Sequence, residues 1–238
     1  MTVPDWQLPE GVDRGLWDYL HSAEMATGYD EQMAASPLAR ADVGLCEKWF
    51  PTPGRLLDMG CGTGRLCRHF AAKGYDCVGV DLSEEMLQRA RAHPDSSEID
   101  YRQANLIELA EIPDQSFDYT ACLFSTLGMV RGYENQVKLL KNAYRVLKPG
   151  GRFVLHVHNR YFLGLGWRRW NRGDITMPQA YAGAPLTLRH YSLFEAGQLL
   201  AMADFEVGCE VLALGIDGKK ARWPRTLRTY GYLIACQK

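Results

Sequence analysis

The stretch Arg55-Leu56-Leu57-Asp58-Met59-Gly60-Cys61-Gly62-Thr63-Gly64-Arg65 decides how the remainder of this chain reads. Leu56 and Leu57 close a short apolar run suited to a buried parallel strand, an acid follows, and Gly60, Gly62 and Gly64 recur at every second position. Such glycines supply a tight turn and let a ligand approach the backbone at a helix N-terminus. A nicotinamide fingerprint, G-x-G-x-x-G, would place its third glycine where Arg65 stands, and it asks for no acid two residues before the first glycine. Asp58 therefore turns the reading away from a dinucleotide.

A second acid tests the loop. Asp76-Cys-Val-Gly-Val-Asp81 is another apolar strand, and it ends in a carboxylate about 20 residues past the glycines, the separation a ribose-binding acid needs. Asp81 at that place would accept both ribose hydroxyls. Ser83 suits an N-cap, with Glu84 and Glu85 complementing the dipole of the helix that follows, so Asp81 is predicted at a strand-to-helix junction.

The pattern D-x-G-x-G-x-G over residues 58–64 resembles motif I of the class I S-adenosylmethionine (SAM) dependent methyltransferases. The resemblance implies a Rossmann-like seven-stranded, mostly parallel α/β sheet with helices on both faces and an antiparallel last strand. It also implies SAM as cofactor and S-adenosylhomocysteine as product. In that family the acid at the Asp58 position lies near the amino acid end of SAM, with the loop through Gly60, Cys61, Gly62, Thr63 and Gly64 curved around it. Asp81, Leu82, Met86, Asn105, Leu106 and Leu123 are the further expected cofactor contacts.

The chain of 238 residues, 47% apolar and 23% charged, can bury one good core. Residues 1–51 read as an N-terminal helical extension, and 52–238 as the SAM-binding domain with a substrate-side insertion at about 159–189. No apolar run approaches a membrane span, and the acidic start from Met1 to Glu10 has no signal-peptide pattern, so a cytoplasmic location is expected. Cysteines 46, 61, 67, 77, 122, 209 and 236 form no C-x-x-C pair, which suits reduced, buried thiols better than disulfides or zinc. The net charge of −1 gives no global pull towards nucleic acid.

Residues 12–50 have helical character. Leu16, Leu20 and Ala23 recur on one face, and Ser36-Pro37 opens a second helix that carries Leu38, Leu45 and Trp49 inward. Family members often fold such an extension over the SAM site as a lid, and Tyr29-Asp30 resembles the Y-D pair found there; plain packing by Trp17, Tyr19 and Tyr29 is the other reading. Further strands are expected at 99–103, 117–124, 152–157, 205–214 and 229–236, and helices at 63–72, 84–92 and 134–147.

Asn105 occupies a place where the family commonly has an acid that accepts from the adenine amino group; a loop-capping asparagine is the alternative. Phe124-Ser-Thr-Leu-Gly-Met129 resembles the segment beside the transferred methyl, without the Asn/Asp-Pro-Pro-aromatic motif of many base and amide methylases. Arg145-Val-Leu-Lys-Pro-Gly-Gly-Arg152 resembles the family's R-V-L-K-P-G-G turn, and the segment from Tyr191 to Val207 resumes the family pattern with Asp204 where glycine is usual.

His156 and His158 share one face of a strand, but no third ligand is spaced to complete a metal site, so no metal is expected. If the acceptor is a hydroxyl, His158, Tyr19, His21 and Tyr29 are the candidate bases. The acceptor is expected to be a small anionic or aromatic molecule. Two basic, aromatic loops support this: one with Trp167, Arg168, Arg169, Trp170 and Arg172, the other with Lys219, Lys220, Arg222, Trp223, Arg225 and Arg228. RNA is an alternative acceptor, and a non-catalytic SAM-binding partner or sensor subunit the alternative of another class.

Overall fold

Local capping sets where the N-terminal helices begin. Asp13 accepts from Leu16 N (2.8 Å) to start α1 (Arg14–Leu20), and Ser36 accepts from Ala39 N (3.3 Å), with Pro37 in the first turn, to start α3 (Pro37–Trp49). Between them lies α2 (Ala23–Ala35). The single helix expected before Ser36 is therefore two, because the chain turns at His21 and Ser22, where Ser22 N reaches back to Tyr19 O (3.3 Å). The computed structural model describes residues 3–170, 173–177, 185–206, 210–222 and 224–238.

From there strands and helices alternate: β1 (Arg55–Met59), α4 (Arg65–Ala71), β2 (Asp76–Asp81), α5 (Glu84–Ala92), β3 (Asp100–Gln103), β4 (Phe117–Cys122), α6 (Thr126–Met129), α7 (Tyr133–Val146) and β5 (Leu147–His158). The insertion contains a hairpin of β6 (Asp174–Met177) and β7 (Leu186–Arg189). Then come α8 (Leu193–Met202), β8 (Glu210–Leu214), α9 (Arg225–Arg228) and β9 (Gly231–Gln237). The main sheet has seven strands in the order β3-β2-β1-β4-β5-β9-β8. The strands from β1 to β5 pair in parallel, and β9 lies antiparallel between β5 and β8. This is the expected Rossmann-like sheet. Its crevice opens beyond the C-terminal ends of β1, β2 and β4, where an open α/β sheet leaves room for a ligand.

Both faces are covered. Along β5, Phe153, Leu155 and Val157 point into the cluster that includes Leu139, Leu140 and Leu199 of α7 and α8. Val154 packs on the opposite face with Leu38, Leu45 and Phe70 of α3 and α4. His156 and His158 share that second face, and strand periodicity alone accounts for their pairing. A third cluster joins Leu16 and Tyr19 of α1, Met86 of α5 and Leu186 and Leu188 of β7, so the N-terminal helices and the hairpin meet above the crevice. Among the described residues no helix is long and apolar enough to cross a membrane, and no group of three metal-ligating side chains is present.

Candidate active site

Gly60 leaves β1 at φ +83° and donates to Val80 O (2.7 Å). A Cβ there would lie 2.5 Å from Thr126 Cγ2, so only glycine allows α6 to close on the loop. Gly64, at φ +81°, is the N-cap of α4, and a Cβ on it would collide with the Tyr101 hydroxyl at 2.0 Å. Phe124 (φ 50°) and Ser125 (φ 66°) hold the left-handed backbone at the exit of β4, an uncommon conformation for a bulky aromatic that here directs Thr126 at Gly60.

At the end of β2, Asp81 Oδ2 accepts from Gly62 N (2.8 Å) and Oδ1 from Ser83 N (2.9 Å). Each oxygen keeps accepting capacity after these bonds, which fits a pair of vicinal hydroxyls. Burial raises the Asp81 pKa, and the backbone donors oppose it. Asp58, 4% exposed, has among the described residues only the Cys67 thiol as a side-chain donor (3.8 Å). Burial, with Arg65 opposing and Asp81 adding repulsion, pushes its carboxyl up to about 7.

Two cavities adjoin here. Asp81, Leu82, Met86, Asn105, Leu106 and Gly62 line the first; Asp58, Cys61 and Leu123 line the second, of about 360 Å³. Tyr19, Tyr29, Gly60, Thr126 and Met129 border both, forming the throat between them. Thr63 and Gly64 line neither: Thr63 Oγ1 donates to Asp30 Oδ1 of α2 (2.5 Å), and Gly64 turns the chain into α4. Asn105 is braced at both ends of its amide, accepting from Ile107 N (3.1 Å) and donating to Glu10 O (2.9 Å). It thus holds its loop at the wall of the first cavity, with accepting capacity left on its oxygen.

The four candidate bases divide. Tyr19 and Tyr29 stand at the throat, and burial drives the Tyr29 phenol up, away from the base role. His158 lines the second cavity, and among the described residues neither ring nitrogen has a hydrogen-bond partner. His21 lines neither cavity; it is exposed and stacks on Trp17 at 4.0 Å, with Nδ1 on Trp17 O (2.8 Å). Of the basic loops, Lys219, Lys220, Arg222 and Arg228 are exposed and border neither cavity, and Trp167 is exposed on the surface. Arg168, Arg169, Trp170, Arg172, Trp223 and Arg225 lie outside the described side chains.

Sequence reasoning missed His190, which lines the second cavity beside His158, and the segment Glu10–Val12, which walls the first. His190 stood one residue outside the expected insertion and one before the resumed family pattern, so no local signal marked it. Glu10–Val12 carries no motif either; it reaches the site because Glu10 meets Asn105 and Lys138 (2.6 Å) across the fold.

A family model described as "Methyltransferase domain" matches residues 57–155. The chain is 34% identical over 141 residues to YqeM of Bacillus subtilis (strain 168), named as a methyltransferase, with 57% of this chain and 55% of that protein covered. It is 31% identical over 153 residues to the ubiquinone biosynthesis O-methyltransferase of Idiomarina loihiensis, covering 63% and 59% of the two chains. It therefore spans a little over half the length of these curated relatives. Among solved structures, a SAM-dependent methyltransferase of Mesorhizobium loti superposes with a TM-score of 0.68 at 22% identity, covering 87% of this chain and all of that one. The Burkholderia thailandensis 1,6-didemethyltoxoflavin-N1-methyltransferase, solved with 1,6-didemethyltoxoflavin and S-adenosylhomocysteine, superposes with a TM-score of 0.65 at 16% identity over 100% of this chain and 93% of its own. At these identities the likeness is one of fold.

Proposed function

We propose that this chain, whose residues 57–155 match a methyltransferase domain, is a class I SAM-dependent methyltransferase that transfers the methyl group to a small anionic or aromatic molecule. The observation that carries this reading is Asp81: a buried carboxylate at a strand end, fixed by two backbone donors and opening on a cavity that continues through a throat into a second one. Asp81 would take the ribose hydroxyls, Leu82, Met86, Asn105 and Leu106 would flank the base, and Asp58 would face the charged amino acid end. The bound cofactor supplies an electrophilic methyl on a sulfonium, so the protein's main task is to hold the acceptor in line with it.

The second cavity supports a small acceptor over RNA. It is walled mostly by apolar and aromatic groups, Leu186 and Leu188 of the hairpin and Met33 of α2 among them, whereas unpaired RNA is usually received on an open basic surface with stacking aromatics. The N-terminal helices act as a lid in this reading, tied to the glycine loop by Asp30 and Thr63.

Calorimetric titration tests the cofactor: SAM and S-adenosylhomocysteine should bind and NAD should not, and the reverse result would sink the assignment. Labelled SAM offered with cell extract divided into metabolite, RNA and protein fractions tests the acceptor. Label in the metabolite fraction is expected. Label in RNA alone would overturn the small-molecule reading, and binding without transfer to any fraction would indicate a sensor or partner subunit.

A further inference from the structure

His158 and His190 come from segments more than thirty residues apart and meet in the wall of the second cavity. Tyr191 N donates to His158 O (2.8 Å) and His190 N to Gly173 O (2.7 Å), which staples the hairpin's exit alongside the end of β5. The two rings lie 5.2 Å apart, centroid to centroid, with Tyr230 4.7 Å from His158 and Phe124 at 6.3 Å. The imidazoles thus stand, with the Tyr230 phenol, among largely aromatic and aliphatic neighbours.

Their free valences are specific. His190 Nδ1 lies 3.2 Å from Leu188 O. A carbonyl only accepts, so Nδ1 carries the hydrogen and Nε2 keeps its lone pair. His158 is 4% exposed, yet among the described residues neither of its nitrogens has a partner. One of them must be an N–H, and buried polar groups without partners are rare in folded proteins. Together the pair offers a lone pair on His190 and both a donor and an acceptor on His158. A hydroxyl, which donates once and accepts as well, is the complement.

Charge narrows the class further. Arg65 is the cation among the described walls of this cavity, and it is committed elsewhere: it donates to Ala39 O (2.8 Å) and lies 3.7 Å from Asp42. Among the described residues no free counter-charge stands by the histidines, so a carboxylate or phosphate buried there would be costly. Resting on the methyl-transfer reading above, we infer that His158 and His190 form a two-imidazole site that receives an uncharged aromatic or enolic hydroxyl and takes its proton during transfer.

In that step the hydroxyl oxygen bonds to the methyl carbon, the carbon–sulfur bond leaves its electron pair on sulfur, and the hydroxyl proton passes to His190 Nε2. The positive charge that began on sulfur ends on the imidazolium. Burial holds His190 down at about 4 and His158 well below the ordinary histidine value, so both are neutral and able to accept near neutral pH. A weak base suffices, because the hydroxyl becomes far more acidic as its oxygen gains the methyl. Once the imidazolium has passed its proton to solvent, the methylated product has no proton to give His190, which favours its release.

Binding of probes to the full chain saturated with S-adenosylhomocysteine tests this without turnover. 2-Naphthol should bind at least about ten-fold more tightly than 2-methoxynaphthalene or 2-naphthoate, and should move the ¹⁵N resonances of His158 and His190. His190→Phe should remove the preference for naphthol over its ether while S-adenosylhomocysteine still binds. His190→Gln, which keeps an acceptor, should retain part of it. Tighter binding of 2-naphthoate, or an undiminished naphthol preference in both His190→Phe and His158→Phe, would overturn the inference. The wild-type ranking stands without any variant, and failure of S-adenosylhomocysteine itself to bind wild-type protein would instead refute the cofactor reading.

Discussion

His156 of β5 and Asp42 of α3 face each other with Nδ1 and Oδ1 2.7 Å apart, and both side chains are sealed from solvent. No well-formed hydrogen bond joins the two atoms, so the contact is chiefly one of charge and dipole, with Arg65 3.7 Å from the same carboxylate. It joins the N-terminal helices to the sheet and, through Arg65, to the helix that follows the glycine loop. Removing one partner leaves a buried polar group stranded. Asp42→Ala should cost about 3–5 kcal/mol in urea unfolding, whereas Asp42→Leu combined with His156→Leu should recover much of the loss. Additive losses in the double variant would show that the two residues do not act as a pair.

Asp81 should be the most sensitive cofactor contact. Asp81→Ala removes two loop-fixing bonds together with the acceptors left for a ribose. SAM affinity should fall by about 1.5–3 kcal/mol, the range for hydrogen bonds to a charged group. Calorimetry would show whether Asp81→Asn, which keeps one accepting oxygen, loses less.

The raised Asp58 carboxyl makes stability depend on pH. Its ordinary value is 3.8 and the folded value about 7, so between those limits the folded protein keeps a proton that the unfolded chain has released. Asp58 thus favours the folded state less and less as pH climbs from about 4 to 7, and its contribution is level above that. In urea titrations across this range, Asp58→Asn should gain stability relative to wild type as pH rises. If the cofactor's ammonium comes to lie near Asp58, SAM binding at pH 6 should release a proton, seen as binding heats that vary with the ionisation enthalpy of the buffer.

Gly60→Ala combines two penalties, a positive φ and a Cβ 2.5 Å from Thr126 Cγ2. The left-handed backbone alone should cost about 1–2 kcal/mol. Adding Thr126→Ala should return the steric part and leave the backbone part, so the double variant should unfold at a denaturant concentration between those of Gly60→Ala and wild type.

The sequence by itself determined the features governed by neighbours along the chain. The glycine loop, the acid ending β2, the Ser36 and Ser83 caps and the alternation of strand with helix all follow from φ preferences, capping and periodicity within a few residues. The seven-stranded sheet was legible for the same reason, since such units have few ways to pack. Tertiary structure decided what those rules cannot reach. The break between α1 and α2 follows a turn with no proline or glycine at it. Asn105 became a brace because Glu10 folds back to it, and His190 entered the cavity because a hairpin within the insertion is stapled to β5. The described basic residues of the loops, so prominent in the sequence, lie at the surface, while the pocket they were expected to serve is walled mostly by apolar and aromatic side chains. Composition shows which groups a loop carries; only the path of the backbone determines which of them face inward.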